Sequence, residues 1–143
     1  MLAGEQEHCL DGKNRIRIPA KFKAELGDDF VFCRGVNKCI YVIAKEEFAS
    51  YVEDFKKIGR FDRVGQRAVS EFMSSYAIPE IDNQGRMILP KKLREYAEID
   101  KNVVTIGAYN RLEIWSAEVL ARQNEENEDI DYADILAERL KDL

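Results

Sequence analysis

Asp11-Gly-Lys-Asn-Arg15-Ile-Arg-Ile-Pro19-Ala-Lys21-Phe22-Lys23 is the stretch whose reading decides the fold, because the chain writes it twice. It returns as Asp82-Asn-Gln-Gly-Arg86-Met-Ile-Leu-Pro90-Lys-Lys92-Leu93-Arg94, at a constant offset of 71. The Asp, the Arg, the Pro and the Lys two places after the Pro are identical, and apolar positions answer apolar positions. After a one-residue shift the match continues. Val31-Phe-Cys-Arg-Gly35 answers Val103-Val-Thr-Ile-Gly107, and Ile40-Tyr-Val-Ile43 answers Leu112-Glu-Ile-Trp115. The same motif in the same order marks a duplicated structural unit.

Each copy predicts the same run of elements. A turn, Asp11–Asn14 or Asp82–Gly85, joins two short extended stretches in the manner of a hairpin. A strand follows over Arg15–Ile18 or Arg86–Leu89. Pro19 or Pro90 then opens a short helix, where a missing N–H does no harm. Two further strands come next, split by Val36-Asn37-Lys38 or Ala108-Tyr109-Asn110, and a helix closes the copy.

Between the copies, Phe48, Tyr51, Val52, Phe55 and Ile58 follow helical spacing. So do Val64, Ala68, Phe72 and Met73, after a break at Gly59–Asp62 in which Asp62 is placed to cap the second helix. The aromatic stripe is expected to be core, not a ligand box. Near the end, Tyr132, Leu136 and Leu140 share a helical face, and the acidic run Asn124–Asp131 before them is expected to be a mobile linker. The expected organisation is a first repeat at 5–48, a helical connector at 49–76, a second repeat at 77–120, and an acidic linker with a terminal helix at 121–143. Two repeats of some forty residues cannot each bury a core alone. One pseudo-two-fold α+β unit, a barrel or sandwich with helices outside, is the expectation.

Composition narrows the function. With 45% hydrophobic and 34% charged residues in 143, a packed fold is expected. No run of eighteen apolar residues occurs, and Met1–Glu5 has neither a basic nor an apolar signal region. A cytoplasmic location is therefore the expectation. Cys9, Cys33, Cys39 and the single His8 fit no zinc spacing, and the cysteines are expected to be buried or half-buried free thiols, so neither metal nor cofactor is expected. No Gly-rich phosphate loop or nucleophile elbow is present, so catalysis is not expected.

The net charge of −5 is unevenly placed. Residues 117–143 hold nine acids against three bases, a net of −6, which leaves +1 for residues 1–116. Within that body, residues 11–23 carry five bases against Asp11, and residues 82–94 carry four against Asp82. These are the strongest local positive charges in the chain. Asp11 and Asp82 are expected to form Asx turns, with Arg15 and Arg86 paired to them. A bland surface reading is open, since exposed ion pairs contribute little. A basic strand and turn also suits phosphate contact, and Arg is the usual bidentate reader of guanine.

With its twofold Asp-x-x-x-Arg motif, the ending Gly107-Ala-Tyr-Asn-Arg-Leu-Glu-Ile-Trp115 and its length, the chain resembles the MraZ family of bacterial regulators, encoded at the head of the division and cell wall gene cluster. The resemblance covers nearly the whole chain. It implies a tandem SpoVT-AbrB fold, in which two swapped-hairpin halves make one β-barrel-like unit. It implies a sequence-specific DNA-binding transcription regulator that binds direct repeats in a promoter and represses its own operon. Ring-shaped homo-oligomers and nucleoid association are implied as well, and no enzyme activity. The DNA-facing set carried over is Lys13, Arg15, Arg17 and Arg86, with Asp11 and Asp82 supporting the turns. The second copy departs from the first: Asn83-Gln84-Gly85 lacks the base that Lys13 supplies, and Ile88 stands in place of Arg17. Unequal contact by the two motifs is expected. The rival from another class is an antitoxin-like interaction module whose acidic tail wraps a protein partner.

Overall fold

The computed structural model of the chain describes residues 1–141; Asp142 and Leu143, the end of the acidic tail, lie outside the described residues. In the first repeat, β1 (Leu2–Cys9) leads through the motif loop to β2 (Arg15–Arg17), α1 (Ala20–Leu26), β3 (Phe30–Arg34), β4 (Ile40–Ala44) and α2 (Lys45–Glu53). A single 3-10 turn (Asp54–Lys57) and α3 (Arg63–Ser74) connect to the second repeat. That repeat supplies β5 (Arg86–Ile88), α4 (Lys91–Tyr96), β6 (Asn102–Tyr109), β7 (Leu112–Ser116) and α5 (Ala117–Glu126). Helix α6 (Tyr132–Lys141) ends the described chain. Pro19 and Pro90 immediately precede α1 and α4 with φ of −55° and −56°, which suits a helix start. Asp62 caps α3 as its spacing predicts, accepting from the Gly65 N–H at 2.9 Å.

The two repeats interlock. The larger sheet is ordered β1-β6-β7-β4-β3, all antiparallel, so β1 pairs with a strand of the other repeat and so does β4. The smaller sheet is β2 against β5, again one strand from each repeat. Its register sets Ile16 opposite Met87, equivalent residues at the offset of 71. In the larger sheet Tyr41 faces Glu113, equivalents after the one-residue shift. A local two-fold therefore relates the repeats in both sheets. The main core draws on both copies, with Ile16, Phe22 and Phe32 packed with Met87, Leu93 and Leu112. The other face of β3 and β4 packs Val31, Cys33 and Ile43 against Phe48 and Trp115, with Tyr51 and Phe72 over them. The aromatic part of the stripe is thus core or half-buried, its rings in contact at 5.0 Å between Phe48 and Tyr76 and 5.3 Å between Phe55 and Phe72, whereas Val64, Ala68 and Met73 of the same helical pattern are exposed.

Several expectations are corrected. The sheet is not a closed barrel: β1 and β3 remain edges. The arm of the second repeat, equivalent to the eight-residue β1, pairs among the described residues only at Ala77 with Phe32. Pro79, two residues on, has no N–H to give to a ladder, so the strand ends there. The motif turn does not build a local hairpin either, because β1 and β2 pair with different partner strands. Strands β2 and β5 end one residue before Ile18 and Leu89, which turn into the core. The expected linker is partly helical, since Asn124–Glu126 form the last turn of α5. Cys33 and Cys39 are buried free thiols as expected, but Cys9, at the end of the edge strand β1, is exposed; burial pushes the Cys33 thiol up to about 12.

Candidate nucleic-acid interface

Each motif loop is held by one aspartate. Asp11 Oδ1 accepts from the backbone N–H of Lys13 and of Arg15, both at 2.9 Å, and Oδ2 accepts from Arg15 Nε at 2.7 Å. The second loop repeats this. Asp82 accepts from the N–H of Gln84 at 2.8 Å, from the N–H of Arg86 at 2.9 Å and from Arg86 Nε at 2.9 Å. The turn closes when the fourth residue donates its N–H to the aspartate carbonyl, at 3.1 Å from Asn14 and 3.0 Å from Gly85. Both fourth residues have positive φ, 59° and 76°, which Asn tolerates and Gly adopts without steric cost. These donors favour the ionised carboxylate. The Arg15 N–H foremost brings the Asp11 carboxyl down to about 2, and the Arg86 N–H foremost lowers that of Asp82.

The ribbon of β2 and β5 brings the predicted residues onto one surface. Arg15 stands opposite Ile88, and Arg17 stands opposite Arg86. Side chains alternate along a strand, so buried Ile16 and Met87 point inward and Arg15, Arg17, Arg86 and Ile88 outward. Lys13 is exposed on the adjoining loop. The two motifs are therefore one continuous patch, not two distant half-sites. Arg15 Nη1 also lies 3.7 Å from Asp82 Oδ2, which links the loops across the ribbon, and the Leu89 N–H donates to the Asn14 carbonyl at 3.0 Å. Because Nε is held by an aspartate in both arginines, each guanidinium is fixed in orientation, and that of Arg15 also reaches Asp82 through Nη1. Such a fork suits a pair of acceptors, as on a phosphate or a guanine edge.

Most helix cations counted with the motif are engaged elsewhere, although Lys23 also lines a groove with Arg17 and Gly85. Lys21 donates to the Glu5 carbonyl. Lys23 pairs with Asp28 at 2.9 Å and Lys91 with Glu95 at 3.7 Å. Lys92 donates to Ser74 Oγ at 2.6 Å, and Arg94 Nε to the Leu89 carbonyl at 2.8 Å. Lys21, Lys92 and Arg94 tie their helices to the fold, whereas the pairs of Lys23 and Lys91 are local. Lys13, Arg15, Arg17 and Arg86 remain as the cationic surface. Sequence reasoning missed an apolar ledge beside it. Exposed Ile78, Ile81 and Ile88, with Pro79, line a groove together with Arg15 and Arg86. The one signal for it was Ile88 in the place of Arg17.

A duplicated α+β protein is thereby defined, with interlocked halves and paired Asp-x-x-x-Arg loops that project arginines from a single ribbon. The family model described as "MraZ protein, putative antitoxin-like" matches residues 1–70 and 72–143. Proteins named "Transcriptional regulator MraZ" are similar over the full chain. Those of Clostridium botulinum (strain Alaska E43 / Type E3) and Clostridium tetani are 41% and 40% identical over 143 residues, covering 100% of this chain and 99% of theirs. That of Thermoanaerobacter sp. (strain X514) is 41% identical over 144 residues, with the same coverage. The chain belongs to the MraZ family.

Proposed function

We propose that the protein is a sequence-specific, double-stranded-DNA-binding transcription regulator and that the β2–β5 ribbon reads the DNA. The observation that carries this reading is the convergence of Arg15, Arg17 and Arg86, two of them oriented by aspartates, on one outward face. A two-stranded ribbon fits the major groove, where forked arginines discriminate guanine. Ile88 supplies an apolar surface of the kind that meets a thymine methyl. The cross-repeat pairing of β1 with β6 and of β2 with β5 supports a tandem swapped-hairpin fold of the SpoVT-AbrB type.

At the finer level the reading is a cytoplasmic, nucleoid-associated repressor of its own division and cell wall operon, acting at direct repeats as a ring-shaped homo-oligomer. One chain holds both repeats, so its local two-fold uses up the contact by which a single-repeat relative would dimerise. Direct repeats then require copies in one orientation, which head-to-tail contacts provide. The test is a mobility-shift titration with the promoter DNA at several salt concentrations, using wild type and Arg15→Ala, both checked for fold by circular dichroism. Specific binding that steepens at low salt and is lost in the variant is expected. Equal binding by both sinks the assignment, and an affinity flat in salt points instead to the interaction-module reading.

A further inference from the structure

Two surfaces are left uncovered, and they complement each other. The first is the tip of the α2–α3 hairpin, where Phe61 is 93% and Val64 82% exposed. Around it Lys56, Lys57 and Arg67 are paired with Glu53, Asp54 and Glu71. Arg60 and Arg63, which flank Phe61, make no ion pair among the described residues. The second is the tail. Tyr132, Ile135, Leu136 and Leu140 form a stripe on α6, all exposed, with Arg139 inside the stripe. An isolated helix shorter than about 12–15 residues is marginal in water, and α6 has ten with none buried. Its stripe therefore needs a cover. The approach to it carries Glu125, Glu126, Glu128 and Asp129, none in an ion pair among the described residues.

We infer that the α2–α3 tip of one copy of this chain binds the α6 segment of a second copy, with Phe61 and Val64 under the α6 stripe and Arg60 and Arg63 facing the acidic approach. The occupant follows from charge and topology. Two unpaired arginines face four unpaired acids, and both surfaces are apolar where the charges leave off. The stem of Arg139 lies along the apolar contact with its head in water. Within one copy the two surfaces root apart. Helix α5 packs on β6 and β7, whereas α3 packs on β3 at the far edge of the sheet. Each copy has one tip and one tail, so the contact is heterologous and repeats one orientation. The inference rests on the oligomer reading above and names the surfaces that build it.

The experiment is light scattering of the full chain in four forms: wild type, Arg60→Glu with Arg63→Glu, Glu128→Lys with Asp129→Lys, and all four changes together. Every altered side chain is exposed, and circular dichroism checks the fold. Each pair alone sets like charges together and is expected to weaken association roughly a hundredfold. The fourfold variant is expected to regain the wild-type mass. Wild-type mass in either pair, or no recovery in the fourfold variant, overturns the contact while the assembly reading stands. A wild-type chain that is monomeric overturns both. Loss of DNA affinity by Arg60→Glu with Arg63→Glu at unchanged mass assigns those arginines to phosphate and also overturns it.

Discussion

The two motif loops share a backbone and differ in what surrounds it. In both, one aspartate takes two backbone N–H groups and one arginine Nε, and a residue with positive φ closes the turn. Yet the first loop follows an eight-residue strand and the second follows a single bridge cut short by Pro79. The first adds Lys13 and Arg17; the second has Gln84 and Ile88 there. The loop is thus a local device, made by an Asx turn and a left-handed fourth residue, and it forms whatever precedes it. Its charge is set separately by neighbouring positions. Substitution at those positions can therefore change the charge of each copy without disturbing the turn.

Removing the central arginine breaks the comparison most sharply. Arg15 contacts both aspartates, whereas Arg86 contacts Asp82 alone. Arg15→Ala is expected to abolish specific binding, since a good bidentate base contact contributes about 1–3 kcal/mol and each subunit loses one. Arg86→Ala is expected to cost less if its copy, which lacks the counterparts of Lys13 and Arg17, is the weaker reader. Titrations of the two variants against one promoter fragment check the order, and a larger loss from Arg86→Ala reverses it.

The Asx turn, the Asp62 cap and the aromatic members of the core stripe were legible in the chain because each depends on residues a few places apart, and the repeat was legible because the chain writes one motif twice. The pairing of β2 with β5 was not. It joins residues about 70 apart, and no local pattern encodes such a register. For the same reason the basic run looked larger than it is: whether Lys21 or Arg94 faces solvent or the Glu5 and Leu89 carbonyls depends on packing. Pro79 was visible, but its effect appears only when the edge it fails to extend is known.

Making the second copy more like the first sharpens the comparison. Gln84→Lys with Ile88→Arg restores both missing cations on exposed positions of the same patch. If both reach phosphates, each adds about −0.9 to the slope of log affinity against log salt. The expected result is tighter binding to random DNA with a steeper salt slope, and a smaller preference for the promoter. An unchanged slope means that the second loop lies away from the duplex.

Acid titration produces the smallest effect and tests whether the loops are equally made. Both aspartates have folded values below the ordinary 3.8, and that of Asp11 falls to about 2. A depressed carboxylate stabilises the fold above its unfolded value, and this contribution is lost as pH falls through the folded value. For Asp11 the window runs from 3.8 down to about 2; at neutral pH nothing changes. In amide NMR spectra, Lys13 and Arg15 are therefore expected to keep their positions through pH 4 and to shift only as pH approaches about 2. Gln84 and Arg86 are expected to shift below 3.8 as well, reporting Asp82. Asp11→Asn removes the charge held by the Lys13 and Arg15 N–H groups, so the first pair should lose its acid shift and the second keep it. A common midpoint near 3.8 for all four amides would mean that the hydrogen bonds to the carboxylates are not kept in solution.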